Sequence, residues 1–195
     1  MVGRPRQFDM EQVLDRAMDT FWENGYEATS MNDLVNATGL HKGSIYQVFN
    51  NKHALFVAAL RRYLEAMLSS KNEFLKNAAT PLEGIYSVAH GMVDLADGDS
   101  LCPKGCMAVN AIIEMVPHDP EVEQIMDEHL TLMRNSLIDI VSQAQEAEQI
   151  DKSKSPEVIA MLIITFMTGL GAELKGSMTQ KQAHQLLDAQ LDSIF

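Results

Sequence analysis

The sequence predicts an all-α protein: an N-terminal three-helix module with a helix-turn-helix, then a C-terminal helical bundle, about nine helices in all. Three observations predict it. Apolar residues recur at three- and four-residue spacing in nearly every segment, the period of a helix buried on one face. Ser, Thr, Asn or Asp precede these segments and Gly or Pro follow them, which are helix start and stop signals. No stretch alternates apolar and polar residues over the length of a strand, and no internal repeat or low-complexity tract breaks the pattern.

The first helix opens at Asp9, with Gln12 at its third position and Phe8 placed to pack on Val13 as a hydrophobic staple. Val13, Leu14, Ala17, Met18 and Phe21 form its core face, and Asn24-Gly25 stops it. Trp22 and Tyr26 are expected in the core of the small module. Thr29 to Lys52 then reads as two short helices about a tight turn. Ser30 caps the first, Asp33 makes a weakened capping box, and Leu34, Val35 and Ala37 give it an apolar side. Gly39 supplies the left-handed residue of the turn. In the second helix, about Lys42 to Phe49, Ile45, Val48 and Phe49 are expected to point inward. Lys42, Ser44, Tyr46 and Gln47 are left facing out, a cation, a hydroxyl, a phenol and an amide suited to the DNA major groove.

Asn51 caps a fourth helix to about Asn77, with Leu55, Phe56, Ala59, Leu60, Tyr63, Leu64 and Met67 on one face. Thr80-Pro81-Leu82-Glu83 starts a fifth, to about Leu95. Cys102-Pro103-Lys104-Gly105-Cys106 leads into an apolar helix ending near Met115, and Asp119-Pro120 opens a long one to about Ala147. Ser155-Pro156 and Thr179 start the last two, whose wide apolar faces, with Gly169, Gly171 and Gly176, fit a close two-fold interface of four helices. Residues 1–50 are assigned as a DNA-binding domain and residues 51–195 as a ligand-binding and dimerisation domain.

The net charge of −12 opposes DNA binding until it is divided along the chain. Residues 1–63 hold seven Lys/Arg and seven Asp/Glu, so the whole acidic excess lies beyond them, where it keeps the body off the phosphates. No run of about 18 uncharged apolar residues occurs, so no membrane span is expected, and no apolar segment follows Arg4 and Arg6 as in a signal peptide. Two cysteines do not make a disulfide framework, and the expectation is a soluble cytoplasmic protein.

From Phe8 the chain reads F-x-x-x-x-V-L-D-x-A-x-x-x-F-W-x-x-G-Y-x-A-T-S, and from Gly39 G-L-x-K-G-S-I-Y-x-V-F-x-N-K-x-A-L-F. This pattern resembles the N-terminal helix-turn-helix of TetR-family transcriptional regulators, closely from Phe8 to Tyr63 and in general plan beyond. The resemblance implies a homodimer joined through its last helices, a palindromic double-stranded DNA operator, and release by a small-molecule effector of unstated identity, with no cofactor. His41 departs from the Ser or Thr cap usual in that family, and His53 from an acidic residue.

The candidate DNA contacts are Thr29, Ser30, Lys42, Gly43, Ser44, Tyr46, Gln47 and Lys52. Gln47 can bond adenine with two hydrogen bonds, Gly43 allows close approach, and Tyr46, Lys52 and the hydroxyls suit phosphates. Arg4 and Arg6 form a basic arm that either enters a minor groove or is simply solvated. His90, Cys106, Asn110, Glu114, Phe166 and Glu173 are the candidate pocket residues, and an acidic group among them would favour a cationic ligand. Cys102 and Cys106, beside Lys104, are candidate redox thiols, or Cys106 is a small buried apolar residue. In a helix the pair is too far apart for an unstrained disulfide, while Pro103 and Gly105 leave a non-helical path open. The histidines show no zinc-like spacing, so no metal is expected. No nucleophile–base pattern or phosphate loop points to an enzyme. The competing readings are a thiol-sensing regulator and a helical ligand-binding protein without DNA binding.

Overall fold

The computed structural model describes residues 9–97 and 105–195. Among the described residues there are nine helices and no strand: α1 (Met10–Asn24), α2 (Met31–Thr38), α3 (Lys42–Phe49), α4 (Lys52–Asn77), α5 (Pro81–Asp97), α6 (Met107–Glu114), α7 (Pro120–Glu146), α8 (Pro156–Glu173) and α9 (Gln180–Ile194). The helix starts follow from side chains that accept the otherwise unpaired N–H groups of a first turn. Asp9, Asn51, Asp119 and Ser155 do this for α1, α4, α7 and α8. Ser30 and Asp33 form a complete box at α2: the Asp33 N–H donates to Ser30 Oγ at 3.2 Å and the Ser30 N–H to Asp33 Oδ2 at 2.8 Å. Aspartate therefore closes the box as fully as the longer glutamate. Gly39, at φ 70°, ends α2 in the left-handed region. Phe8, and with it the staple, lies outside the described residues.

Two packed clusters hold the chain. The first joins Phe21, Leu34, Ile45, Leu55 and Leu60 of the N-terminal helices to Met107, Ala111, Val122 and Met126 of α6 and α7. The second joins Ile85, Val93, Val141, Ile159, Ile163, Leu187 and Leu191, from α5 and α7 to α9. Because the first cluster runs without a break from α1 into α6, the N-terminal helices rest on the body. Arg62 of α4 ties them further, donating to Asp15 at 2.6 Å and pairing with Glu11, so one guanidinium bridges two acidic residues of α1.

By length and composition α8 could cross a membrane. Ile159, Ala160, Ile163 and Leu170 are its buried side, while Val158, Met161 and Leu162, with Leu186 of α9, remain exposed. The glycines of α8 do not all belong to that exposed side. A Cβ on Gly171 would lie 2.9 Å from Cys106 Cβ, so Gly171 permits a close approach of α8 to the start of α6 within one protomer. Gly169 faces open space.

Asp119 links two regions. It caps α7 through the N–H groups of Glu121 and Val122 and meets His53 Nε2 of α4 at 2.5 Å. Burial works to raise this carboxyl, but the Val122 N–H, His53 and the Glu121 N–H together bring it below the usual carboxylate range. A carboxyl lowered on folding stabilises the native state above its unfolded value, about 3.9, and that stability disappears as pH falls through the lower folded value. Acid melts are thus expected to steepen below about pH 4 in the wild type, and Asp119→Asn is expected to flatten that limb.

Candidate nucleic-acid interface and internal cavity

The recognition face is built on α3, a helix of only eight residues. Ile45 is fully buried and anchors it, which turns Lys42, Tyr46 and Gln47 outward; Ser44 is half-buried and Gly43 exposed, with nothing within 4 Å of where a Cβ would stand. Lys42 Nζ lies 5.9 Å from the Tyr46 ring centroid, so the cation and the phenol form one patch. Lys52, in the first turn of α4, sits 4.3 Å over the Tyr26 ring, a contact that ties its ammonium to the turn after α1. His41 precedes α3 with no side-chain hydrogen bond to it. Its imidazole is left exposed at the edge of the face.

Two residues differ from expectation. Thr29 is fully buried and its hydroxyl donates to the Gly25 carbonyl at 2.6 Å, so it braces the entry to α2 and has no atom to offer a phosphate. Val48 does not point inward; it is 52% exposed beside Gln47. An exposed valine gives α3 an apolar group on its open side, beside the amide of Gln47. Ser30 is exposed, but its hydroxyl already accepts the Asp33 N–H. Arg4 and Arg6 lie outside the described residues.

Behind this module is a cavity of about 220 Å³. Its wall comes from α1 (Met18, Trp22), α4 (Tyr63, Met67, Ser70), α5 (Ile85, Met92), α6 (Val109, Ile112), α7 (His129, Met133) and α8 (Ile163, Met167), and it is overwhelmingly apolar. Met18, Met67, Met92, Met133 and Met167 give this wall flexible, polarisable side chains. Among the expected pocket residues Cys106 lines it, as a free, half-buried thiol that accepts the Tyr63 hydroxyl at 3.5 Å. Burial, and then the neighbouring Cys106, raise the Tyr63 hydroxyl well above its ordinary value. Cys102 lies outside the described residues.

The other expected pocket residues do different work. Both Glu114 carboxylate oxygens face the turn after α1, accepting the Tyr26 and Glu27 N–H groups at 2.8 Å each. Asn110 donates to the Trp22 carbonyl at 3.3 Å, as does Lys175 Nζ at 3.3 Å, and Trp22 Nε1 donates to the Gly105 carbonyl at 3.0 Å. Trp22 therefore belongs to the seam between module and body, not to the core of the small module alone. His90 meets His184 at 2.6 Å (Nδ1 to Nδ1) and Asp188 at 2.8 Å, pinning α5 to α9. Phe166 packs in the second core cluster and Glu173 is exposed. With Glu114 and Glu173 off the cavity wall, no acidic residue lines it among the described residues.

Residues 13–59 match the family model of bacterial regulatory proteins of the tetR family, and residues 81–189, more than half of the chain, match that of the tetracyclin repressor-like C-terminal domain. The chain belongs to the TetR family. It is 35% identical over 127 residues to YezE of Bacillus subtilis, an HTH-type transcriptional regulator, spanning 65% of this chain and 64% of YezE. It is 30% identical over 152 residues to ComR of Escherichia coli, an HTH-type transcriptional repressor, spanning 76% of this chain and 70% of ComR. A cysteine mutant of the TetR-family regulator CifR, complexed with 26-bp double-strand operator DNA, superposes with a TM-score of 0.78 at 26% identity, covering 98% of this chain and 99% of that one. A TetR-family regulator from Cytophaga hutchinsonii gives a TM-score of 0.82 at 25% identity over 94% of this chain and 92% of its own. The helix-turn-helix and helical body of this TetR-family regulator thus keep the arrangement seen in an operator-bound relative.

Proposed function

We propose that this TetR-family chain is a cytoplasmic, homodimeric repressor that reads a palindromic operator with α3 and is released when a small apolar effector fills the cavity. It acts by binding and catalyses no reaction. Residues 1–50 read DNA, and residues 51–195 sense the effector and dimerise. The exposed Val158, Met161, Leu162 and Leu186 suit a four-helix interface between two copies of α8 and α9, and a two-fold axis there calls for half-sites about one helical turn apart, ~34–36 Å.

The observation that carries the reading is that α6 belongs to both halves of the machine. Val109 and Ile112 face the cavity, while Asn110 and Glu114 of the same helix bond the end of α1 and the turn after it. A ligand that displaces α6 or Trp22 shifts the footing of the DNA module, and a ligand preferring that shifted state lowers operator affinity by its differential binding.

The test is a gel shift with DNA flanking the chain's own gene across a salt series. Lys42→Ala and Tyr46→Ala are each expected to weaken binding by roughly tenfold or more, since a dimer loses the contact twice. Lys42→Ala is also expected to flatten the salt slope, by about one per lost cation. Binding by neither wild type nor variants at any salt would overturn the proposal.

A further inference from the structure

His129 of α7 stands in the cavity wall, 6% exposed, and among the described residues no hydrogen bond reaches either of its ring nitrogens. Nδ1 is sealed in the packing. Nε2 is unbonded without being sealed, so it is the nitrogen left open to the cavity. Neighbouring polar groups on the wall are matched: the Tyr63 hydroxyl meets Cys106 Sγ at 3.5 Å, and the Thr168 hydroxyl donates to the Ile164 carbonyl at 2.9 Å. An imidazole left unpaired in an apolar interior weakens the fold, so its place in a cavity points to a ligand that completes it. No Asp, Glu, Lys or Arg stands on this wall, and an ion entering would exchange water for Met, Ile and Leu side chains. Burial, and then the Lys71 charge, lower the His129 pKa, so the ring is neutral at pH 7. A neutral imidazole has one N–H and one lone pair. Whichever of the two Nε2 presents, a hydroxyl matches it, because a hydroxyl both donates and accepts; a carbonyl only accepts.

We infer that the cavity takes an uncharged single-ring phenol whose hydroxyl bonds His129 Nε2. This rests on the reading of the cavity as the effector site. The size fits: an apolar cavity of about 150 Å³ holds benzene, and about 220 Å³ leaves room for a hydroxyl and a short alkyl group on the ring. A ring suits the wall better than a chain does. The methionine sulfurs make favourable contacts with aromatic edges, and a ring has fewer rotors to immobilise than a chain of the same size. A neutral ligand thus replaces the cationic one expected from Glu114 and Glu173 as pocket residues.

The test compares 4-ethylphenol with ethylbenzene, which lacks the hydroxyl, sodium 4-ethylbenzoate, which carries a charge, and 1-octanol, which lacks the ring. Thermal shift reads binding, and release of operator DNA reads the response. 4-Ethylphenol is expected to act at concentrations roughly fivefold or more below each of the other three. His129→Leu and His129→Phe put apolar side chains at the unpaired site. Both are expected to fold, to bind operator, and to respond equally to 4-ethylphenol and ethylbenzene. His129→Gln, which restores a hydrogen-bonding group, is expected to regain part of the preference. No response to 4-ethylphenol, as when water alone satisfies the ring, would overturn the inference. So would an equal response to any of the other three compounds, or an undiminished preference for 4-ethylphenol in the apolar variants. Operator binding without any added compound separates the two proposals. If it is intact while 4-ethylphenol is silent, only the phenol assignment falls; if it is absent while 4-ethylphenol raises the melting midpoint, the phenol site stands and the repressor reading falls.

Discussion

Gly105→Ala is expected to lower stability by roughly 2–5 kcal/mol, from strain of ~1–2 kcal/mol and overpacking of ~1–3 kcal/mol. The strain arises because Gly105 has φ 62°, where an L side chain crowds its own carbonyl. The collision arises because the new Cβ would lie 2.7 Å from the Gly171 carbonyl oxygen and 2.9 Å from Lys175 Cβ. A backbone oxygen within a helix turn cannot swing aside as a side-chain end can, so the start of α6 has to move away from α8. That movement carries with it the Gly105 carbonyl, to which Trp22 Nε1 is bonded. Thermal melts should show a fall of roughly 5–15 °C for a chain of this size, together with weakened operator binding. Gly39→Ala is the control, since Gly39 has φ 70° but nothing within 4 Å of a new Cβ. It should show the strain alone, about 1 kcal/mol. Equal losses at the two glycines would show that the close contact of α6 with α8 contributes nothing.

The second large effect is expected at Glu114. Glu114→Ala removes the acceptor for two backbone N–H groups, Tyr26 and Glu27, at the turn between α1 and α2. Hydrogen bonds to a charged group contribute about 1.5–3 kcal/mol each, so a combined loss of roughly 2–4 kcal/mol is expected after water reaches the exposed Glu27 N–H. Glu114→Gln keeps one acceptor oxygen but turns an NH₂ toward the other N–H, so it should fall between alanine and wild type. Urea denaturation reads the stability. Operator titrations with and without effector read the coupling, which should shrink in the same order, because Glu114 is the point where α6 holds the turn leading to α2. Stability lost with the effector response intact would mean that the signal runs through α4 instead.

The helices were legible because their start signals are local: Asp9, Ser30, Asn51, Asp119, Ser155 and Thr179 each accept an N–H within three residues. The family pattern, also local, placed Lys42, Tyr46 and Gln47 on an open face. Val48 was misread because eight residues give barely two turns, too few for periodicity to fix which apolar residues face in. Thr29 was misread because a hydroxyl before a helix looks the same whether it turns to solvent or to the carbonyl four residues back. The cavity was not legible in detail. Its wall draws on six helices, and only the packing decides that Cys106 faces it while Glu114, two turns along the same segment, reaches out to α1. His129 looked like one more scattered histidine until its surroundings left a ring nitrogen without a partner.

The exposed valine, methionine and leucine side chains on α8 and α9 also bear on how the protein behaves as its amount changes. If two chains fold and associate in one step to cover that face, the melting midpoint climbs with total protein, and a diluted sample unfolds at lower temperature with no change in any contact. At any concentration low enough for lone chains to outnumber pairs and leave the operator unsaturated, occupancy rises with the square of their number, so halving expression frees more than half of the occupied DNA sites. Gene dosage then becomes an input alongside the small molecule.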